Sequence, residues 1–402
     1  MQRLLPLFLG ILLFAGCNSE QDVDPGSAQT FIKIFGGGNL DDPQKVLLTD
    51  DGGYLILAST EVQTTDGSFF KIKLIQTDGF GDQVWQRTYP EENNTLNYKG
   101  RSLIALDDGY MVIGDRIQMG TEDDENVEEN TSLLLLKVDL MGNEISNSVI
   151  SLSEGELLGQ ELLLANTGEI ALVANMDSDT TSNNIYVSRF DQASGSFLDD
   201  CTAQYRANNV NIVKSFFEMN DGSLAFSGNI ANETNGQIFV LPDCQASALS
   251  GPNLVSGSAA SYSLNQMTQS FNGFGVVGTT NQNGDLDIFF ANLTSEGEVV
   301  NITVFDRDEE QQGLTIAATN DGGFLLGGLT IENVANEADL FLQKIDFNGN
   351  MQWTQIYGDI VEEEARFILP TPDGGYAVLG CIEFGGIENI VLLKTDSEGN
   401  IN

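Results

Sequence analysis

Carboxylates are the side chains best placed to do chemistry in this sequence. They gather in five polar stretches between apolar runs: "YPEENNTLNYKG" at 89–100, "DRIQMGTEDDENVEENTS" at 115–132, "NMDSDTTSNN" at 175–184, "FDRDEEQQG" at 305–313 and "YGDIVEEEAR" at 357–366. Paired Asp and Glu can run glycoside hydrolysis, one as acid and the other as nucleophile or base. Their hard oxygens also suit Ca2+. Like charges crowded together also invite a basic protein surface. Histidine is absent from all 402 residues. This excludes mechanisms that use imidazole as the base and zinc sites that need it as a ligand. No P-loop, Gly-x-Ser-x-Gly or zinc-ligand spacing occurs either.

Asp and Glu number 59 against 17 Lys and Arg, a formal charge of −42. Such a surface repels phosphate backbones, so nucleic acid is not an expected partner. The same abundance makes any one carboxylate pair uninformative. A non-catalytic binding or scaffold role is therefore the main reading, with a cell-surface carbohydrate-active enzyme as the alternative. The candidate binding residues are Glu122, Asp123, Asp124, Glu125, Glu128, Glu129, Asp306, Asp308, Glu309, Glu310, Glu362, Glu363 and Glu364. Ca2+ remains open at Asp123, Asp124, Glu128, Asp177 and Asp179, although neither stretch that supplies them follows the twelve-residue calcium-loop spacing. A sugar site would need exposed aromatic platforms, and Tyr98 and Tyr205 are among the few aromatics off the repeat pattern described next.

The elements that hold these loops repeat. "DGGYLILAS" at 51–59 recurs as "DDGYMVIGD" (107–115), "TGEIALVAN" (167–175), "DGSLAFSGN" (221–229), "NGFGVVGTT" (272–280), "DGGFLLGGL" (321–329) and "DGGYAVLGC" (373–381). Each copy reads as a tight glycine turn opening an apolar strand, with a small residue four positions into it. A second apolar strand and a Gly-Asn-type turn follow, as in "LFLQKIDFNGN" at 340–350. Lys137/Asp139, Arg189/Asp191, Lys344/Asp346 and Lys394/Asp396 recur at matched positions there and read as structural strand-end charges. A third strand carries aromatic residues four apart, Trp85 and Tyr89 or Trp353 and Tyr357, which share one face. A fourth leads back to the next turn. Four-stranded units repeated radially predict an all-β, seven-bladed propeller over 29–402. The strand "FIKIF" at 31–35 has no unit of its own, and the last unit stops at 402 without an outer strand. The N-terminal strand is therefore expected to complete the last blade and close the ring. In strand logic the pattern resembles kelch and WD40-like propellers, and most of all the Asp-Gly-Gly-Tyr repeats of secreted Bacteroidota proteins. That resemblance implies a fold, not an activity.

Residues 1–16, "MQRLLPLFLGILLFAG", place Arg3 before an apolar run too short to span a bilayer. With Cys17 they end in "FAGC", which resembles a bacterial lipobox. The resemblance implies cleavage before Cys17, lipidation of its thiol, an acylated (palmitate-type) amine and a membrane anchor. Residues 17–28 then form a polar tether whose Glu20, Asp22 and Asp24 resemble the surface-export signals of Bacteroidota lipoproteins. Outer-membrane attachment facing the cell surface is the expected location. In an oxidising compartment Cys201 and Cys244 could pair, while Cys381 lies in an apolar strand.

Overall fold

The computed structural model describes residues 29–401 apart from 66, 92–95, 119–129, 154, 178–183, 193–197, 199–202, 206–209, 220, 231–235, 242–249, 256–260, 272, 283, 332–337 and 359–361. An N-terminal strand, β1 (Phe31–Phe35), is followed by β2 (Asp41–Leu48), β3 (Tyr54–Thr64), β4 (Gly67–Thr77) and β5 (Gln83–Tyr89). Then come β6 (Asn97–Leu106), β7 (Gly109–Gln118), β8 (Asn130–Asp139), β9 (Glu144–Ile150), β10 (Glu156–Leu164), β11 (Glu169–Asp177), β12 (Ile185–Asp191) and β13 (Ala203–Tyr205). The middle of the chain supplies β14 (Val210–Glu218), β15 (Leu224–Ile230), β16 (Gly236–Leu241), β17 (Ser250–Val255), β18 (Tyr262–Ser270), β19 (Gly273–Thr280), β20 (Asp287–Leu293) and β21 (Val299–Phe305). The last are β22 (Glu310–Ala318), β23 (Phe324–Ile331), β24 (Ala338–Ile345), β25 (Met351–Tyr357), β26 (Glu363–Pro370), β27 (Tyr376–Phe384) and β28 (Ile387–Thr395).

No helix occurs among the described residues. The strands form seven four-stranded antiparallel sheets, from β2-β3-β4-β5 through β22-β23-β24-β25, and β1-β28-β27-β26. The first strand of each sheet contacts the first strand of the next, and β26 contacts β2. This is a β-propeller of four-stranded antiparallel blades. The core lies between blades as separate apolar clusters, such as the one joining Phe35, Val46, Tyr54 and Ile56 to Leu379 and Leu392.

Local backbone needs explain the repeat. In "DGGY" Asp51 accepts from Thr49 Oγ1 at 2.5 Å, and Gly52 turns the chain at φ +82°. A Cβ on Gly53 would strike the carbonyl of Thr77 on the neighbouring strand. Gly323 and Gly375 face the carbonyls of Ile345 and Thr395 in the same way. The small residue inside each second strand has its own cause. Every innermost strand carries a β-bulge at one matched place: 43/45, 100/102, 159/161, 213/215, 264/266, 313/315 and 365/367. The bulge pushes a carbonyl onto the second strand, so a Cβ at Gly278, Gly328 or Gly380 would strike Ser263 O, Gln312 O or Glu364 O.

Outer-strand aromatics latch three of the blades to the next. Trp85 packs on Gly142, Trp353 on Gly399, and Phe31 on Gly81, each glycine sitting in the Gly-containing turn of the following blade. Tyr89 and Tyr357 donate to the carbonyls of Gly142 and Gly399. β1 pairs with β28 in antiparallel register, Phe31 opposite Lys394 and Phe35 opposite Ile390. Lys33 of β1 reaches Asp82 at 2.5 Å. The orphan strand at 31–35 therefore finds its partner at the other end of the chain.

Candidate functional site

Glu122, Asp123, Asp124, Glu125, Glu128, Glu129 and Asp179 lie outside the described residues, as do Cys17, Cys201 and Cys244. Asp177 is the exposed last residue of β11. Asp306, Asp308 and Glu310 are exposed and Glu309 half-buried where β21 passes to β22. Arg307 in that link donates to Thr354 Oγ1 at 3.0 Å. Glu362 just before β26 and Glu363 and Glu364 at its start line a cavity of about 130 Å³. Two glutamates absent from the sequence-based set, Glu383 and Glu388, join them there beside Cys381. The signal for these two is the turn Gly385-Gly386, whose positive φ values close a two-residue hairpin that sets Glu383 directly opposite Glu388.

The electrostatics of this patch are unbalanced. Arg366 Nη2 meets Glu364 Oε1 at 2.5 Å. Burial pushes the Glu364 carboxyl above its ordinary range; Arg366 opposes that, while Glu388, Asp42 and Glu362 push it further up. Glu388 is raised for the same reasons, burial first. Burial also pushes the Cys381 thiol up to about 12, with Arg366 opposing, so this thiol is no nucleophile at neutral pH. Among the described residues no three such groups converge to hold a metal ion.

The repeated Lys/Arg-x-Asp charges are structural, but they pair differently from the motif's own spacing. Lys344 bridges to Asp321, Lys394 to Asp373 and Lys137 to Asp108, each at 2.8 Å. In each case the partner is the acid of the Asp-Gly turn. The motif's own aspartate instead holds the following turn: Asp346 Oδ1 accepts from Asn348 N and Asn350 N at 2.9 Å. Tyr98 is also reassigned. It is 7% exposed in the cluster with Leu103 and Tyr110, so it is a core side chain and no sugar platform. The side chain of Tyr205 lies outside the described set.

A cavity of about 710 Å³ lies where the innermost strands meet, and all seven contribute to its wall. The polar side chains that line it include Lys45, Glu161, Ser215 and Gln266, each the residue that follows a bulge. Lys45 Nζ donates to Ser102 Oγ at 3.1 Å and also to Glu161 Oε1. Ser215 Oγ accepts from Met267 N at 2.8 Å, and Gln266 Oε1 accepts from Ile316 N at 2.7 Å. The sequence does hold a signal for this ring. Lys45, Ser102, Glu161, Ser215, Gln266, Thr315 and Phe367 all stand six residues before the one preceding the turn glycine.

No protein-family model and no curated protein matches the chain at the sequence level. Solved structures do resemble it. A protein of unknown function from Dyadobacter fermentans aligns with TM-score 0.53 and 10% identity over 92% of this chain and 99% of its own. Virginiamycin B lyase from Staphylococcus aureus gives 0.48 and 13% over 91% and 99%. Trypanosoma rangeli sialidase gives 0.48 and 10% over 92% of this chain, which spans 58% of the sialidase's length. At such identities the likeness to the Dyadobacter protein is one of fold, and it agrees with the propeller read from the strand pairing.

Proposed function

We propose that this chain is a lipid-anchored, non-catalytic binding propeller of the bacterial outer membrane, its seven sheets being the seven blades of one closed ring. Its acidic rim receives a basic protein surface or a calcium ion. The observation that carries this reading is the charge imbalance at the start of β26. Glu362, Glu388 and Asp42 act on Glu364 around the cation Arg366, and Glu383 faces Glu388 across its hairpin. A basic partner or divalent cation relieves that repulsion. Screening by salt weakens the attraction most at the exposed Glu362 and less at the half-buried Glu364, Glu383 and Glu388. The anchor rests on the segment ending at Cys17 and is tested separately.

The test replaces Glu362, Glu383 and Glu388 with Gln. Partner recovery from detergent-solubilised envelope is measured at low and high salt, and melting is measured with and without millimolar Ca2+. The parent should lose partner as salt rises or gain stability with Ca2+, and the variant should do neither. Agreement between the two proteins in both assays overturns the rim as a binding surface. For the anchor, Cys17→Ser should leave the N-terminal peptide unlipidated and shift the protein out of the membrane fraction. Unchanged mass and fractionation would remove the lipoprotein reading.

A further inference from the structure

The acidic rim makes no use of the central cavity. We propose that this cavity is a binding site for a small neutral molecule with an apolar body and a hydroxyl or amide head, the head being held by Lys45 and Glu161. At about 710 Å³ the cavity is of the size that takes a small ligand. Apolar side chains form part of its wall, with Leu163, Phe217, Ile316 and Leu369 among the contributors, and Asn166 and Glu218 add further polar groups. A polar pair sits within it. An ammonium has three N–H groups. Lys45 gives one to Ser102 and one to Glu161, and no other described residue accepts from it. Glu161 takes both Lys45 and Ser102 on Oε1, which leaves Oε2 without a partner among the described residues. Both side chains line the cavity, at 14% and 24% exposure.

That leaves one donor and one acceptor side by side. The pair is charge-neutral, so a bound anion would meet Glu161 and a bound cation would meet Lys45. A hydroxyl or amide satisfies both, accepting from Lys45 and donating to Glu161. The pair is also held in place. Ser102 Oγ accepts from Leu162 N at 3.2 Å, and Lys45 Nζ lies 5.9 Å from the centre of the Phe367 ring. Four innermost strands thus fix two side chains, and a rigid site binds at less entropic cost. A merely structural Lys45–Glu161 tie would stabilise the ring but recognise no ligand.

The probes are 2-naphthol, 2-methylnaphthalene and 2-naphthoate, titrated against the propeller and followed by fluorescence. We expect saturable binding of 2-naphthol, with 2-methylnaphthalene and 2-naphthoate each weaker by roughly tenfold or more, as expected for one lost hydrogen bond to a charged group or one misplaced charge. Leu164→Trp and Gln269→Trp place a bulky ring at the cavity wall, and Leu164 is already 45% exposed, so folding should survive. Both should abolish 2-naphthol binding. Lys45→Met combined with Glu161→Leu should erase the preference for naphthol over methylnaphthalene. Phe271→Ser serves as the control, because Phe271 is 89% exposed on a turn outside this cavity and could take up dye by itself. The proposal is overturned by any of four results. These are no binding to the parent, binding indifferent to both tryptophan variants, binding lost in Phe271→Ser, or equal affinity for naphthol and methylnaphthalene. If the double variant does not fold, the tryptophan variants and the probe series on the parent still decide.

Discussion

Directly after its small residue, each second strand carries a side chain that in four blades acts on the next blade. Ser59 accepts from Gly100 N at 3.1 Å, Asp115 from Gly159 N at 2.8 Å, Asn175 from Val213 N at 2.9 Å and Asn229 from Leu264 N at 2.8 Å. The need is physical. An innermost strand is a sheet edge, and its outward N–H groups are buried against the neighbouring blade with no ladder partner. The position holds Cys381 in the last blade, and the matching residue of the first is Pro43, which has no N–H to satisfy. Asn229 also donates to Leu264 O at 2.8 Å, so it closes both backbone groups of one residue. Asn229→Ala should therefore cost about 1–3 kcal/mol in urea unfolding, the range for a buried polar group left unpaired. Cys381 meets the Arg366 side chain but faces no N–H of the next blade, so Cys381→Ala leaves no backbone donor there unpaired and should cost less. Equal losses at the two positions would mean that packing, not the hydrogen bond, sets the residue type.

At the scale of elements, β1 matters most. It gives the last sheet its fourth strand, and through Phe31 and Lys33 it repeats the latch that Trp85 and Arg87 make one blade on. Deleting residues 29–37 exposes β28 along its length and removes the contact with Gly81. We expect loss of the cooperative thermal transition, or aggregation, while a chain starting at residue 29 melts like one starting at 18. Matching melts for the 29–37 deletion and the parent would show that the ring does not depend on this strand. The role of β1 was legible because its aromatic spacing copies that of "WTQIY" at 353–357, and the latch needs that spacing. The small residues were legible too, since a nearby carbonyl leaves room for glycine or at most alanine, and so were the turns, where a positive φ favours glycine. The central pair was not. Lys45 and Glu161 stand 116 residues apart and differ in type from their counterparts Ser102 and Ser215. Only the closed ring brings them together. Glu383 and Glu388 were not legible as site residues, because they sit on a tight Gly385-Gly386 hairpin rather than in a long polar loop, and only the strand register sets them opposite each other.

For the whole molecule, two sets of carboxylates pull stability in opposite directions with pH. In the Asp-Gly turns burial raises Asp321, but hydrogen bonds from Lys344, Thr319 and Gly323 outweigh it and hold the group at about 2. Asp373 is lowered by the matching contacts with Lys394, Thr371 and Gly375, again against burial. A depressed folded pKa contributes stability above the unfolded value of about 3.9, and that contribution disappears as pH falls toward the folded value. Asp321 is 54% exposed, so solvent screening keeps its share small. Glu364 and Glu388 are raised, burial first and neighbouring acids adding to it. A raised folded pKa works the other way: the penalty is present above that pKa and is relieved as pH falls toward the ordinary glutamate value of about 4.3. With a net charge of −42, general repulsion also eases as acids are protonated. The melting temperature should therefore rise as pH is lowered from neutrality into the glutamate range, then fall once the turn aspartates protonate. In Glu364→Gln/Glu388→Gln the rise should be smaller and the acid-side fall unchanged. A melting temperature that declines steadily from pH 7 downward in both proteins would show that the turn carboxylates outweigh the rim throughout.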